Sequence, residues 1–328
     1  MTNDGIDVAK HLSRRRRGGR GRSQTWAFAV MAVPAITLLT VFNYLPMIGT
    51  IIAFKDFRAA DGIFGSAWVG LKNFAFLFSS GDALRVTFNT LFLNGLFIVT
   101  GTVGAVIVAL LLNELRVRSR WMSWLPGFYR SAVFFPFFIS WVIAGYFTFA
   151  FLNADTGLLN QALKGLGLAP VAWYSDPRYW PIILTIVNLW KNVGYGIVIY
   201  LSGMLAIDSQ YYEAATLEGA SKWQQIRFVT LPLIAPLVII TILLQIGRIF
   251  FADFGLFYNV TRDSSLLYPT TDVIDTYVFR ALRTLGDFGM AGAAGLYQSF
   301  VGLILIASAN WIVNRFNPES SIFAMGKR

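Results

Sequence analysis

Apolar residues run in six long blocks, at about residues 26–51, 87–113, 127–152, 179–204, 233–253 and 290–314, with shorter polar stretches between them. Each block reaches the roughly 20 residues a helix needs to cross a bilayer core. Such blocks must be helical, because lipid offers the backbone no hydrogen-bond partners. The pattern predicts an all-α, polytopic membrane protein with six transmembrane helices. It divides the chain into a basic N-terminal tail (1–25), a transmembrane domain (26–315) and a short C-terminal tail (316–328). No repeat of fixed period is visible.

Composition supports this division. The chain is 56% hydrophobic and 13% charged, whereas a soluble domain carries about a quarter charged residues. It has no Cys, and its one His, His11, lies in the tail. Disulfides, thiolate nucleophiles and Cys/His metal sites are therefore excluded. The net charge of +10 is concentrated in the tail, which reads SRRRRGGRGR over residues 13–22. That run directly precedes a membrane block and lacks aromatic residues for base stacking, so it reads as a membrane anchor touching anionic headgroups and not as a nucleic-acid arm. The block that follows is too long for a signal-peptide core. Lys and Arg are denser in the tail, the 114–126 loop, the 205–232 loop and the C-terminus than in the alternate loops, which places both termini and residues 205–232 in the cytoplasm.

The alternate loops lie outside. Residues 52–86 carry Trp68, Phe74, Phe76 and Phe78, the texture of an interfacial segment. Residues 153–178 are rich in Gly, Pro, Trp and Tyr, and DVIDTYVFRALRTLGDFG, within 254–289, reads as an external helix.

One cytoplasmic stretch stands apart, EAATLEGASKWQQIRFVTLP, residues 213–232. Asp208 or Ser209 can cap a helix with Glu213 in its early turns, and Gly219 can end it. Ser221 and Gln224 have capping-box spacing, so a second short helix can start at once. Leu231-Pro232 then opens the next block, where proline is harmless. The expectation is two short helices at an angle under the membrane, whose small and apolar residues (Ala214, Ala215, Leu217, Ala220, Trp223, Ile226) offer a knob for a partner's groove.

This segment resembles the EAA loop of ABC importer permeases. Glu213-Ala214-Ala215, Gly219 with Ala220, and Leu231-Pro232 stand at the family's spacing, with Val229 where Ile is usual. NYLPMIGTIIAFKDF, WVGLKNFAFLF, YLSGMLAIDSQYYEAATLEGA and DVIDTYVFR extend the resemblance over most of the chain, to the carbohydrate-uptake branch and its polysaccharide and oligosaccharide importers. It is similar there to the first permease of bacterial alginate importers. The resemblance implies a type I importer permease fold with a cytoplasmic coupling helix at 208–232. It also implies a bacterial cytoplasmic-membrane location, a second homologous permease as heterodimer partner, two ATP-binding subunits docking at the EAA loop, and an extracytoplasmic solute-binding protein that delivers an oligosaccharide.

The residues fit a subunit that does not hydrolyse ATP itself. No G-x-x-x-x-G-K-[ST] phosphate cradle occurs, so ATP and Mg would belong to the partner ATPase and this chain would bind no cofactor. Two charges fall inside the blocks, Lys191 and Arg248, and such charges are functional candidates. Asn188, Lys191 and Asn192 share one helical face, as do Gln245 and Arg248, with Asp253 nearby. Together they can line a water-filled cavity between spans four and five, with Trp190, Tyr195 and Tyr200 as stacking surfaces for sugar rings. Cations there would suit an anionic saccharide. Lys191 and Arg248 are equally open to a structural role, paired with Asp253 or a helix end, or snorkelling to an interface. Gly194-x-Gly196 and Gly292-x-x-Gly295 permit close helix packing. A neutral oligosaccharide is the alternative cargo. An ion-driven secondary carrier of a small polar solute is the alternative class, though no Asp/Glu/His relay crosses the blocks, and a non-transporting scaffold or sensor subunit is the third.

Overall fold

The computed structural model describes residues 26, 28–75, 81–114 and 125–316. The basic tail with His11, Phe76, Phe78, Arg116, Arg118, Arg120 and the C-terminal Lys327 and Arg328 lie outside them. The described chain is almost wholly helical. Its long helices are α1 (Phe28–Phe54), α2 (Gly81–Glu114), α6 (Trp180–Leu205), α8 (Lys222–Ile246) and α10 (Phe288–Phe316). Between them lie the shorter α3 (Leu125–Phe134), α4 (Trp141–Leu152), α5 (Leu158–Gly165), α7 (Ser209–Leu217) and α9 (Ile274–Leu285). A two-residue hairpin, β1 (Lys55–Asp56) with β2 (Ala67–Trp68), pairs Lys55 with Trp68.

Among the described residues, five helices are long and apolar enough to cross a bilayer, and α3 with α4 makes a sixth span if its bent halves count as one. The expected continuous helix over 127–152 is thus corrected. Its halves meet at 98°. Pro136 has no N–H to continue the helix and forces a short 3-10 turn at Phe135–Phe138. Ser140 then caps a new helix by accepting from the Ile143 N–H at 3.4 Å.

The core is α2 and α6, which run parallel and touch along their length. Leu93 and Phe97 meet Trp180 and Leu184 at one end. Ala105 and Ala109 meet Ile197 and Tyr200 towards the other, where Ile234 of α8 joins them. Lipid gives helices no hydrophobic reason to associate, so close approach carries the packing. At Gly196 a Cβ would lie 2.8 Å from that of Ala105, and at Gly292 it would lie 3.1 Å from the Ala53 nitrogen of α1. Gly295 has open space around its Cβ position, so only the first glycine of that pair serves packing. Large exposed hydrophobics such as Phe42, Phe88 and Trp311 cover the outer faces, as a lipid-facing surface requires. The Trp68 ring stacks on Phe54 at 5.7 Å, beside Phe74.

Candidate functional site

At the end of the bundle carrying Glu114 and Leu205, the chain turns into the segment singled out by sequence. Asp208 caps α7 by accepting from the Gln210 N–H at 3.0 Å. Gly219 ends it with φ +80, which lets Ala220 N–H reach Ala215 O at 2.9 Å. The Ser221–Gln224 capping box forms in both directions. Beyond it the expected second separate helix is corrected, because Lys222–Ile246 is a single helix. The reason is local. Pro232 cannot donate to Phe228 O, and the helix widens into a π-turn over Ile226–Thr230 and does not break. The Leu231 N–H bonds back to Ile226 O across this turn. Buried Gln225 donates to Thr216 Oγ1 at 3.0 Å and the Tyr212 hydroxyl pairs with Thr230 Oγ1 at 2.9 Å, so α7 and the start of α8 are locked together. Glu213, Ala214, Pro232 and the large Tyr211, Leu217, Trp223 and Phe228 are exposed, Leu217 at 90%, while Ala215, Ala220, Ile226 and Leu231 are half-buried.

Alongside α2, α6 and α8 lies a half-open cavity of about 860 Å³. Its polar lining includes Asn94, Asn188, Asn192, Thr241, Gln245, Arg248 and Asp253, and its aromatic lining includes Phe137, Tyr195, Tyr200 and Phe251. Asn192 donates to the Asn188 amide oxygen at 2.8 Å, and Tyr200 hydroxyl pairs with Thr241 Oγ1 at 2.8 Å. Phe137 and Tyr195, both in this lining, stack with centroids 5.3 Å apart and planes at 18°. Arg248 is exposed to the cavity, and its guanidinium has no hydrogen-bond or ion-pair partner among the described residues.

Two of the sequence-predicted pathway residues lie elsewhere. Trp190 lines a separate, almost wholly apolar cavity of about 750 Å³ between α4 and α6. Lys191 is buried, and its ammonium donates to Phe137 O at 2.8 Å. The shared face expected for Asn188, Lys191 and Asn192 is therefore divided, with the two amides turned to the cavity and the amine to the broken span. The fifth span is also corrected. The sequence predicts it over 233–253, but the helix stops at Ile246, so Arg248 and Asp253 sit on irregular chain. The backbone released there is taken up by side chains. Asn94 donates to Ile249 O at 2.8 Å, Gln298 donates to Phe250 O at 2.9 Å, and Ala252 N–H donates to Asp275 Oδ2 at 2.9 Å. Irregular backbone at membrane depth survives only with such partners.

Sequence reasoning did not find Phe137, Asn94 or Thr241. Asn94 and Thr241 were visible as polar residues inside apolar blocks. Phe137 carried no signal of its own, though the adjacent Pro136 marked the break that turns it inward. At the far end of the bundle, burial raises the Asp275 carboxyl above the ordinary range against the bonds from Ala252 and Gln298, and it pushes the Tyr268 hydroxyl up to about 12.

Residues 101–320 match the family described as binding-protein-dependent transport system inner membrane component. The chain belongs to that family. The permease is a transport subunit and not an enzyme, and it is a multi-pass membrane protein that works with a partner permease, an ATPase and a binding protein. It is 33% identical over 294 residues to Protein LplB of Bacillus subtilis, covering 90% of each chain. It is 32% identical over 293 residues to the polygalacturonan/rhamnogalacturonan transport system permease protein YteP of the same organism, covering 88% of each. The fold matches a chain of a bacterial alginate ABC transporter in complex with an alginate pentasaccharide-bound periplasmic protein. The TM-score is 0.79 at 30% identity, with 90% of this permease and 97% of that chain covered.

Proposed function

We propose that this permease forms half of the translocation pathway of an ATP-driven importer for an acidic oligosaccharide. Arg248 carries the reading, as a cation with no partner among the described residues on the wall of a cavity that also offers amides and aromatic rings. Hydroxyl-rich rings need amide partners and flat apolar surfaces, and a carboxylate needs a fixed guanidinium. Relatives named for polygalacturonan and alginate transport support an acidic cargo. Asn188, Asn192, Tyr195, Gln245, Arg248 and Asp253 are the pathway residues of this reading.

The α7 and α8 corner, Glu213 to Pro232 with Ala214, Ala215, Gly219, Ala220 and Leu231, is the coupling element on the cytoplasmic side, with both termini on that side. It docks in the ATPase through exposed Leu217 and Trp223. The locked contacts between α7 and α8 allow movement of the docked ATPase to reach the cavity end of α8. Coupling of this kind requires different contacts in the two states of the transporter. The test is purification of the tagged permease from its native membrane. A co-purifying ATPase and second permease, lost on Gly219→Pro, are expected. Retention of the ATPase by the Gly219→Pro variant refutes the coupling role given to this corner. A neutral oligosaccharide is the second cargo to assay, because Asn188, Asn192 and the Phe137–Tyr195 pair would serve it without Arg248.

A further inference from the structure

The broken span between α3 and α4 presents a physical problem. Helices that end inside a membrane leave carbonyls and N–H groups without partners, and lipid cannot supply them. Part of the answer is local. Ile139 N–H bonds to Pro136 O at 3.1 Å, and Ser140 caps the N-terminus of α4. The carbonyl of Phe137 is met from another helix, by the Lys191 ammonium at 2.8 Å. That ammonium also lies 4.9 Å from the Trp141 ring centroid and 5.4 Å from that of Phe137, so both sides of the bend face one buried cation. One helical turn further on, α6 carries Gly194, where a Cβ would lie 2.4 Å from Val133 O. The end of α3 therefore rests directly on the α6 backbone.

The opposite side of the bend has its own tie. The Trp141 indole N–H donates to Asp253 Oδ2 at 2.6 Å, while Gly255 N–H donates to Asp253 Oδ1 at 3.2 Å. A Cβ at Gly255 would lie 2.3 Å from the indole, so the ring is pressed onto the backbone there. Phe137 and Asp253 are both cavity-lining residues, and these ties set where they stand.

We propose that Lys191 is a positioning residue. From α6 it pins the corner of the broken span, with the Trp141–Asp253 bond pinning the other side, and so it holds Phe137 in the cavity wall. Its charge is used on a backbone carbonyl and two aromatic faces, not on cargo. This gives the buried amine a reason to exist that lining a pathway does not.

The test reads geometry and needs no sugar, so its outcome is separate from that of the acidic-cargo reading. The chain has no cysteine, and Phe137→Cys keeps the carbonyl that Lys191 holds. In the full importer in native membranes, the rate at which a sulfonated maleimide labels this thiol is measured per inserted molecule. Lys191→Met removes the ammonium but keeps a long apolar stem. It is expected to raise the labelling rate by about tenfold or more, the change that losing one hydrogen bond to a charged group brings. Lys191→Arg, which still donates from a cation, is expected to bring the rate back close to the parent. An unchanged rate with Met overturns the proposal, and so does an Arg variant that labels as fast as Met. If the Met variant does not accumulate, Trp141→Phe cuts the second tie and must raise the rate in the same direction. An unchanged rate there overturns the proposal equally.

Discussion

Gly219 closes α7 in the left-handed region, at φ +80, where an L-residue is strained by about 1–2 kcal/mol. A Cβ placed on it meets no atom within 4 Å, so Gly219→Ala has no clash to relieve and its whole cost is backbone conformation. The variant either keeps the turn at that cost or lets it relax. Relaxing breaks the Ala220-to-Ala215 bond of 2.9 Å and swings α7 away from α8. The balance between the present corner and its alternatives moves by a factor of about 5–30. Asn tolerates this conformation far better than Ala, while β-branched Val is a genuine outlier there. The assay is uptake per inserted permease in proteoliposomes containing the partner subunits, with ATPase co-purification scored on the same preparations. Activity is expected to fall in the order Gly, Asn, Ala, Val with membrane insertion unchanged. Equal uptake by Ala and Gly, or Val matching Asn, would refute the claim that the left-handed turn sets the coupling geometry.

Three further outcomes are expected. Arg248→Gln should reduce uptake of an acidic oligosaccharide by about tenfold or more, from the loss of a charged hydrogen bond, and leave a neutral one of equal length nearly unchanged in a competition assay. Asp275 has a carboxyl raised by burial, so its contribution to stability is fullest below the ordinary carboxylate range and is lost as pH rises through the raised value. Asp275→Asn should flatten that pH dependence, whereas Asp275→Ala strands the Ala252 N–H, leaves Gln298 only its bond to Phe250 O, and should cost about 1–3 kcal/mol in detergent unfolding. Gly194→Ala drives a methyl to 2.4 Å from a backbone oxygen and should lower stability by about 1–3 kcal/mol. Gly95→Ala, with nothing within 4 Å, is the neutral control in the same thermal series.

The blocks of apolar residues located the spans, because hydropathy and length decide membrane crossing with little help from tertiary context, but they did not show the break at Pro136 or the stop at Ile246. The capping signals at Asp208, Gly219, Ser221 and Gln224 were equally legible, since each acts within a few residues of itself. At Lys191 and beyond Ile246 the deciding partners are distant. Helical spacing put Lys191 beside Asn188 and Asn192, but its ammonium turns to Phe137, 54 residues away in sequence. The local hint in QIGRIFFADF is Gly247, directly after Ile246, and a lone Gly does not by itself stop a helix. The segment unwinds where Asn94, Asp275 and Gln298, from three other helices, can receive its backbone. Pro232 has the sequence position of a harmless first-turn proline, yet it sits inside a longer helix and sets the π-turn before it.

That π-turn gives the fixed gap between Gly219 and Leu231-Pro232 an angular meaning. Successive residues of a helix are rotated by about 100° about its axis, and a π-turn takes up one more residue than a regular turn does. The extra residue therefore sets the azimuth of Trp223 and Arg227 relative to Gln245 at the far end of the same rod. Two chains with identical residues but one more or one fewer position in this interval would have nearly the same length and would point their Trp223 side chains in different directions. If the corner docks in the ATPase as proposed, the motif's spacing works as a dial that indexes that docking face to the cavity face.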